Sequence, residues 1–433
     1  MMQKIRTGSL NEQLLHAAQK GDPVALALAM ESGADVNAKD GSGATAAIWS
    51  AKLGKESCLG MLIACGADIH SDPCQTGGGD GFWSAATEAA SAGNAGCLRL
   101  LIAAGARIRE ANYYGMTTTM FAAGGGSEAC LRMLVEAGVD IHALTRPEVG
   151  RQSATMWAAE AGREGTLGIL LSEGASLHAT DDREMTLLMI AACHGHEGCL
   201  RLLMGRGAGI HAKNGGGLNA AALSAGNGNL ACLRALIDEG ANIHERDSIG
   251  QDCAMLCAGE RLSSAGGVDG CLAELVKAGA NVHARDELGR TAAWAAARRP
   301  SRARLKMLLD AGADINARDA FGMTAALDAA IQGDDASLRL LADLGADMDA
   351  QDRAGDTAAM RAAAVGSEGC LACLVAAGAN LHAVNNRGET ARSMAVRKGH
   401  AIAAEILRAG MEAQDIAAAT LRSGNAPARA LRV

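Results

Sequence analysis

Gly33-Ala34-Asp35-Val36-Asn37-Ala38 is the stretch from which the fold follows. Close versions of it begin again at Gly66, Gly105, Gly138, Gly174, Gly207, Gly240, Gly279, Gly312, Gly345 and Gly378. The intervals are 33, 39, 33, 36, 33, 33, 39, 33, 33 and 33 residues, and a fixed period with small additions marks a repeat architecture. After each copy comes a small polar residue: Thr45, Ser84, Thr117, Ser153, Thr186, Asn219, Asp252, Thr291, Thr324, Thr357 and Thr390. These residue types accept hydrogen bonds from the unpaired N–H groups of a first helical turn, so each predicts a helix start. An Ala-rich helix follows, as at residues 46–53 and 358–365. A second helix then runs along Cys-Leu-Arg-Leu-Leu, as at 97–101 and 199–203. It stops at the recurring Gly, the residue that best tolerates a left-handed C-terminal cap. Between units lies Asp40-x-x-Gly43, repeated at Asp247/Gly250, Asp286/Gly289, Asp319/Gly322 and Asp352/Gly355, the signature of a type I turn. The expected fold is an all-α repeat solenoid of about twelve helix-turn-helix units joined by β-hairpin loops.

These residues resemble the ankyrin repeat family. Its pattern of Asp-x-x-Gly-x-Thr-Pro-Leu-His-x-Ala-Ala, then Gly-His, Leu-Leu and Gly-Ala-Asp-Val-Asn-Ala, is met by residues 319–330 with 345–350. The resemblance spans roughly residues 9–410. One departure is consistent: Thr-Pro-Leu-His becomes Thr357-Ala358-Ala359-Met360 or similar, and no proline stands at that helix start. The helices therefore lack the φ that proline pre-sets, and stability per repeat is expected to be lower. Residues 1–8 read as an N-terminal extension, 9–410 as the repeat domain and 411–433 as a partly helical tail. The polar opening of the first unit, and Arg392, Arg397, Lys398 and Glu405 in the last, suit capping repeats. Six additional residues fall within 71–83, three near 145–150 and six around 259–269, where insertions mark loops.

Composition agrees. Apolar residues make up 49% of the 433-residue chain, yet only nine are aromatic, so Ala, Leu, Ile and Met must pack helices at close range. A net charge of −8 disfavours a phosphate-binding surface, so no nucleic-acid partner is expected. No apolar run reaches the ~18–20 residues that span a bilayer, and the first fifteen residues lack a signal-peptide segment. A cytoplasmic monomer without membrane contact is the expectation.

Several columns of chemically active residues follow the repeat. His70, His142, His178, His211, His244, His283 and His382 share one position, as do Cys58, Cys97, Cys130, Cys199, Cys232, Cys271 and Cys370. Stacked helices lie ~8–10 Å apart. That is too far for one metal ion, whose ligands sit at about 2 Å, and for disulfides between equivalent positions. The histidines read as substitutes for the hairpin Asn kept at Asn37 and Asn316, and the cysteines as small apolar core residues. Cys370 and Cys373 form a C-x-x-C within a second helix, without a redox context. The sharpest ligand-like cluster is Cys193-His194-Gly195-His196-Glu197-Gly198-Cys199. It supports the rival reading of a metal- or thiol-redox-responsive protein. The repeat already accounts for Gly195, His196 and Cys199, so no metal and no cofactor are expected. Arg99, Arg132, Arg201 and Arg234 read as a solvated outer face. Nucleophile elbows, zinc-protease motifs and phosphate-cradling loops are absent, and no catalytic residue is expected.

The aromatic residues do not follow the period. Trp49, Phe82, Trp83, Tyr113, Tyr114, Phe121 and Trp157 account for seven of the nine. Phe82-Trp83 and Tyr113-Tyr114 fall at hairpin tips, whereas ordinary tips read like Asp286-Glu287-Leu288-Gly289. Trp49, Phe121 and Trp157 share one first-helix position and suit packing between repeats. Large aromatics at exposed tips are enriched in interfaces, so these seven form the candidate partner-binding set. As the resemblance implies, hairpins and first helices would line a groove that grips a protein without catalysis.

Overall fold

A computed structural model describes residues 2–71, 84–259, 267–298 and 301–422. Among these residues are 24 α-helices and one 3-10 turn, with β pairing limited to isolated bridges. The chain is an all-α repeat solenoid, and its contacts divide it into two compact units. The first comprises residues 1–224 and 231–241, the second 225–230 and 242–433.

Each of the eleven N-cap residues read from the sequence accepts a hydrogen bond from the backbone N–H three positions on. The distances include 3.3 Å for Thr45 with Ile48, 2.8 Å for Asn219 with Ala222, 3.0 Å for Asp252 with Met255 and 3.3 Å for Thr324 with Leu327. The cap alone starts these helices where the family has proline. At the far end, Gly33 adopts φ 93° and the N–H of Ala34 reaches back to Ala29 O at 3.0 Å, closing the helix with a left-handed cap. A Cβ on Gly33 would meet nothing within 4 Å, so φ alone, not crowding, selects glycine here.

The hairpins (fingers) are turns built around one Asx side chain. In the first, Gly43 N–H donates to Asp40 O at 3.0 Å, and Asp40 Oδ1 accepts from the N–H groups of Ser42 and Ala44 at 2.9 and 3.0 Å. Asn112, Asp181, Asn214, Asp247, Asp286, Asp319, Asp352 and Asn385 repeat the arrangement. The three-residue addition is part of a finger. Pro147–Val149 forms the 3-10 turn, bracketed by Thr145 N–H to Gln152 O at 2.9 Å and a bridge between Leu144 and Ser153. The two six-residue additions fall largely outside the described residues.

Within each unit the core is made of small side chains. First helices bury runs such as Ala358, Ala359, Met360, Ala362 and Ala363, and second helices bury a Cys and two Leu, as at Cys97, Leu98 and Leu101. One cysteine of the column also donates. Cys97 Sγ points its hydrogen at Ser50 O, 3.7 Å away, in the preceding first helix. Where the column changes residue, Thr166 Oγ1 donates to Ala123 O at 2.9 Å, and Arg304 Nη1 to Ala258 O at 3.4 Å. These carbonyls end first helices and have no partner within their own helix. Cys97 is therefore a weak donor that ties two repeats together as well as a small apolar filler. Burial raises the thiol pKa of Cys97 and Cys199 to about 11, which keeps both protonated. The last helix, Ala401–Arg422, runs unbroken past residue 410.

Candidate partner-binding surface

The site begins with the turn Asn112-Tyr113-Tyr114-Gly115 in the first unit. Asn112 Oδ1 accepts from Tyr114 and Met116 N–H groups at 3.0 and 2.8 Å, and Gly115 takes φ 77°. A Cβ on Gly115 would lie 2.9 Å from Arg146 N and 3.1 Å from Leu144 O, so glycine is needed for close approach to the next finger. That approach lets Arg146 N–H donate to Tyr114 O at 2.9 Å. Adjacent fingers are stitched together at their tips.

The stitching separates the two tyrosines. Tyr113 is 56% exposed, with the Arg146 guanidinium 4.7 Å from its ring centre, within cation–π range. Tyr114 lies half-buried, edge-to-face with Tyr113 at 5.3 Å. Tyr113 is therefore the more accessible of the pair. Phe82 and Trp83 lie outside the described residues.

On the first helices, Phe121 and Trp157 pack edge-to-face at 5.1 Å, each half-buried. They join neighbouring repeats while keeping part of each ring open. The Trp157 indole N–H is buried without a hydrogen-bond partner. Trp49 is also half-buried and donates its indole N–H to Asp40 Oδ2 at 2.7 Å, tying its helix to its own finger. Burial raises the Asp40 pKa, but hydrogen bonds from Ser42 and Trp49 outweigh that and hold it below its ordinary value. A pocket of 290 Å³ brings Tyr113 and Phe121 together with Ile69, Arg107, Glu110 and Met116. Trp49 and Trp157 are not among its lining residues.

The remaining candidates separate. The seven column histidines are exposed. Where Asn holds that position it bridges fingers, Asn37 Oδ1 accepting from Asp68 N–H at 2.7 Å and Asn316 Oδ1 from Asp347 N–H at 2.8 Å. The backbone N–H groups of His70 and His142 donate to Asp68 and Asp140 of their own fingers, at 2.9 and 2.8 Å, as those of Asn37 and Asn316 do to Asp35 and Asp314. In the residue 193–199 cluster, His196 Nε2 lies 2.7 Å from Glu160 O and Cys199 is buried in the core. These groups do not converge, and no set of three or more His, Cys, Asp or Glu side chains suited to a metal occurs among the described residues. Arg132 and Arg201 pair with Glu128 and Glu197 on their own helices and are well exposed, which suits a solvated face.

Two aromatics outside the candidate set stand out in the second unit. Phe321 is 58% exposed at the tip Asp319-Ala320-Phe321-Gly322. Trp294 is nearly buried, with the guanidiniums of Arg290 and Arg298 at 5.0 and 5.3 Å from its ring. The signal for Phe321 was available by reading the turn column, where Ile249 and Leu288 precede it.

The family model for ankyrin repeats (3 copies) matches residues 62–145, 155–247, 261–352 and 327–417. Repeats of this family are generally protein–protein interaction modules, typically scaffolds without catalysis. No curated protein matches the chain, and no helix among the described residues is long and apolar enough to cross a membrane.

Proposed function

The chain belongs to the ankyrin repeat family, and we propose from this that it is a non-catalytic scaffold that holds a protein partner on the first unit. The contact surface is the finger that carries Tyr113 together with the first helices that carry Phe121 and Trp157. One observation carries this reading. A large aromatic side chain stands 56% exposed at a finger tip hydrogen-bonded to the next finger, and lines a 290 Å³ pocket together with a second aromatic ring. Exposed aromatics set in such pockets are where binding energy concentrates. The protein acts as a monomer in the cytoplasm and needs no cofactor for this role.

The test is Tyr113→Ala. Binding to a partner identified by affinity capture with the parent chain should weaken by about 1–2 kcal/mol or more. The melting temperature should stay within error, because the ring is mostly outside the core. Unchanged affinity, or a large fall in melting temperature, would overturn the assignment.

A further inference from the structure

We propose a second docking surface, on the fingers of the second unit, for an acidic segment of another protein that carries an apolar side chain. It is separate from the Tyr113 surface.

The argument starts from the residue just before the turn Asp. Arg246 Nη1 donates to Arg285 O at 2.9 Å, Arg285 Nη1 to Arg318 O, Arg318 Nη1 to Gln351 O, and Gln351 Nε2 to Val384 O at 3.3 Å. Each side chain thus grips the equivalent carbonyl of the next finger, and Arg353 reaches back to Ala320 O. These guanidiniums are exposed and bound to neutral carbonyls, so their charge is not cancelled by that bond. The turn carboxylates point the other way: Asp286 and Asp352 are only 6% and 8% exposed and are paired with Arg290 and Arg361. Glu287 is the one exposed carboxylate among the described turn tips of the second unit. A chain of net charge −8 therefore presents a row of arginines along one ridge.

Apolar groups are interleaved with that row. Leu288 and Phe321 are 42% and 58% exposed on successive tips. A 560 Å³ pocket in the same unit is lined by Ile249, Met255, Trp294 and Ala295, with Arg290, Arg298 and the Arg290-paired Asp286 on its walls. Trp294 Nε1 is buried there with no hydrogen-bond partner, and Arg298 remains about half exposed despite lying 3.5 Å from Asp328. An apolar side chain flanked by carboxylates matches both features at once: the pocket takes the former, the arginines the latter.

The experiment uses the full chain and a fluorescein-labelled peptide, Glu-Asp-Phe-Glu-Asp-Leu-Glu-Glu, read by fluorescence anisotropy. Controls are the peptide with Ser for Phe and Leu, the peptide with Lys for every acid, and single-stranded oligothymidylate. Arg285→Gln with Arg318→Gln removes two charges, while Gln351 shows that glutamine spans the same gap. The parent should bind the acidic peptide saturably. The double variant should bind at least about tenfold more weakly and melt like the parent. Phe321→Ala, which touches only an exposed tip, should also weaken binding, whereas Tyr113→Ala should leave it unchanged. Absence of saturable binding, or equal binding by either variant of the second unit, overturns the proposal. Equally tight binding of oligothymidylate and the Ser-substituted peptide overturns it too, and makes the ridge a general polyanion surface.

Discussion

The two units use one backbone plan and stabilise it with different chemistry, most visibly four residues past each N-cap. In the first unit that column reads Trp49, Glu88, Phe121, Trp157, Ile190 and Leu223. In the second it reads Leu256, Ala295, Asp328, Arg361 and Met394. Trp49 and Arg361 show that the position faces the finger of its own repeat, since each donates to the turn Asp nine residues before it. One does so with a neutral indole and the other with a guanidinium. The fingers differ as well. Four in the first unit carry a β-bridge at their base, Lys39 with Thr45, Ala111 with Thr117, Leu144 with Ser153 and Thr180 with Thr186. The described fingers of the second unit show none, and the Arg246, Arg285, Arg318 and Gln351 side chains tie them to one another. The repeat fixes where a stabilising group must stand, not which force it uses.

The largest expected effect breaks the charged column. The Arg361 side chain is 30% exposed and serves the carboxylates of Asp352 and Asp356, whose side chains are each only 2% exposed. Arg361→Ala leaves two buried carboxylates short of their cation and should destabilise the chain by roughly 3–5 kcal/mol. Trp49→Phe keeps a ring and loses one hydrogen bond to a charged group, a cost of roughly 1.5–3 kcal/mol. Urea denaturation followed by circular dichroism compares them. Equal losses would mean that the two columns are energetically interchangeable.

A smaller effect sharpens the account of the fingers. In the turn that starts at Asp181, Glu184 stands where other fingers have Gly, and it is held at φ 60°. Left-handed backbone costs a residue with a Cβ roughly 1–2 kcal/mol, part of which glycine returns through its freer unfolded chain. Glu184→Gly should raise stability by about 1 kcal/mol. A loss instead would show that the Glu184 side chain makes a contact that outweighs the strain.

Period, caps and turns were legible because each rests on a local rule. Thr45, Asn219 and Asp252 needed only their own helix to reveal their role, and Asp40 only its own turn. Tyr113 and Tyr114 were legible as tip residues but not as one exposed and one half-buried ring, because Arg146 in the next finger decides that. The donor role of Cys97 depended on Ser50, 47 residues earlier. Phe321 and the arginine row carry no local signal, because each is a single residue in an ordinary turn and gains meaning only from its equivalents in the neighbouring fingers. Reading each repeat position down the stack would have found both.

The smallest expected effect separates the units by pH. Asp40, in the first unit, has its pKa held below the ordinary 3.8. Its stabilisation is present above 3.8 and is lost as pH falls through the lower folded value. Asp252, in the second unit, is an N-cap whose burial raises its pKa above 3.8 despite hydrogen bonds from Met255 and Ala254. Here the folded state holds the proton more tightly than the unfolded chain, so the sign reverses. That contribution is fully present below 3.8 and fades as pH rises through the raised value. Asn219 caps the equivalent helix without a charge, accepting from Ala222 N–H at 2.8 Å. Asp252→Asn should therefore cost little near pH 4 and become relatively more favourable towards about pH 7, when the parent must carry a buried charge. Asp40→Asn should behave differently, with a cost that is nearly constant above about pH 4 and shrinks as pH falls below 3.8, where the parent loses its carboxylate. Urea titrations of both variants and the parent at several pH values supply the check. Parallel pH profiles for the two variants would show that the turn Asp40 and the cap Asp252 titrate alike, and the electrostatic contrast between the units would fail.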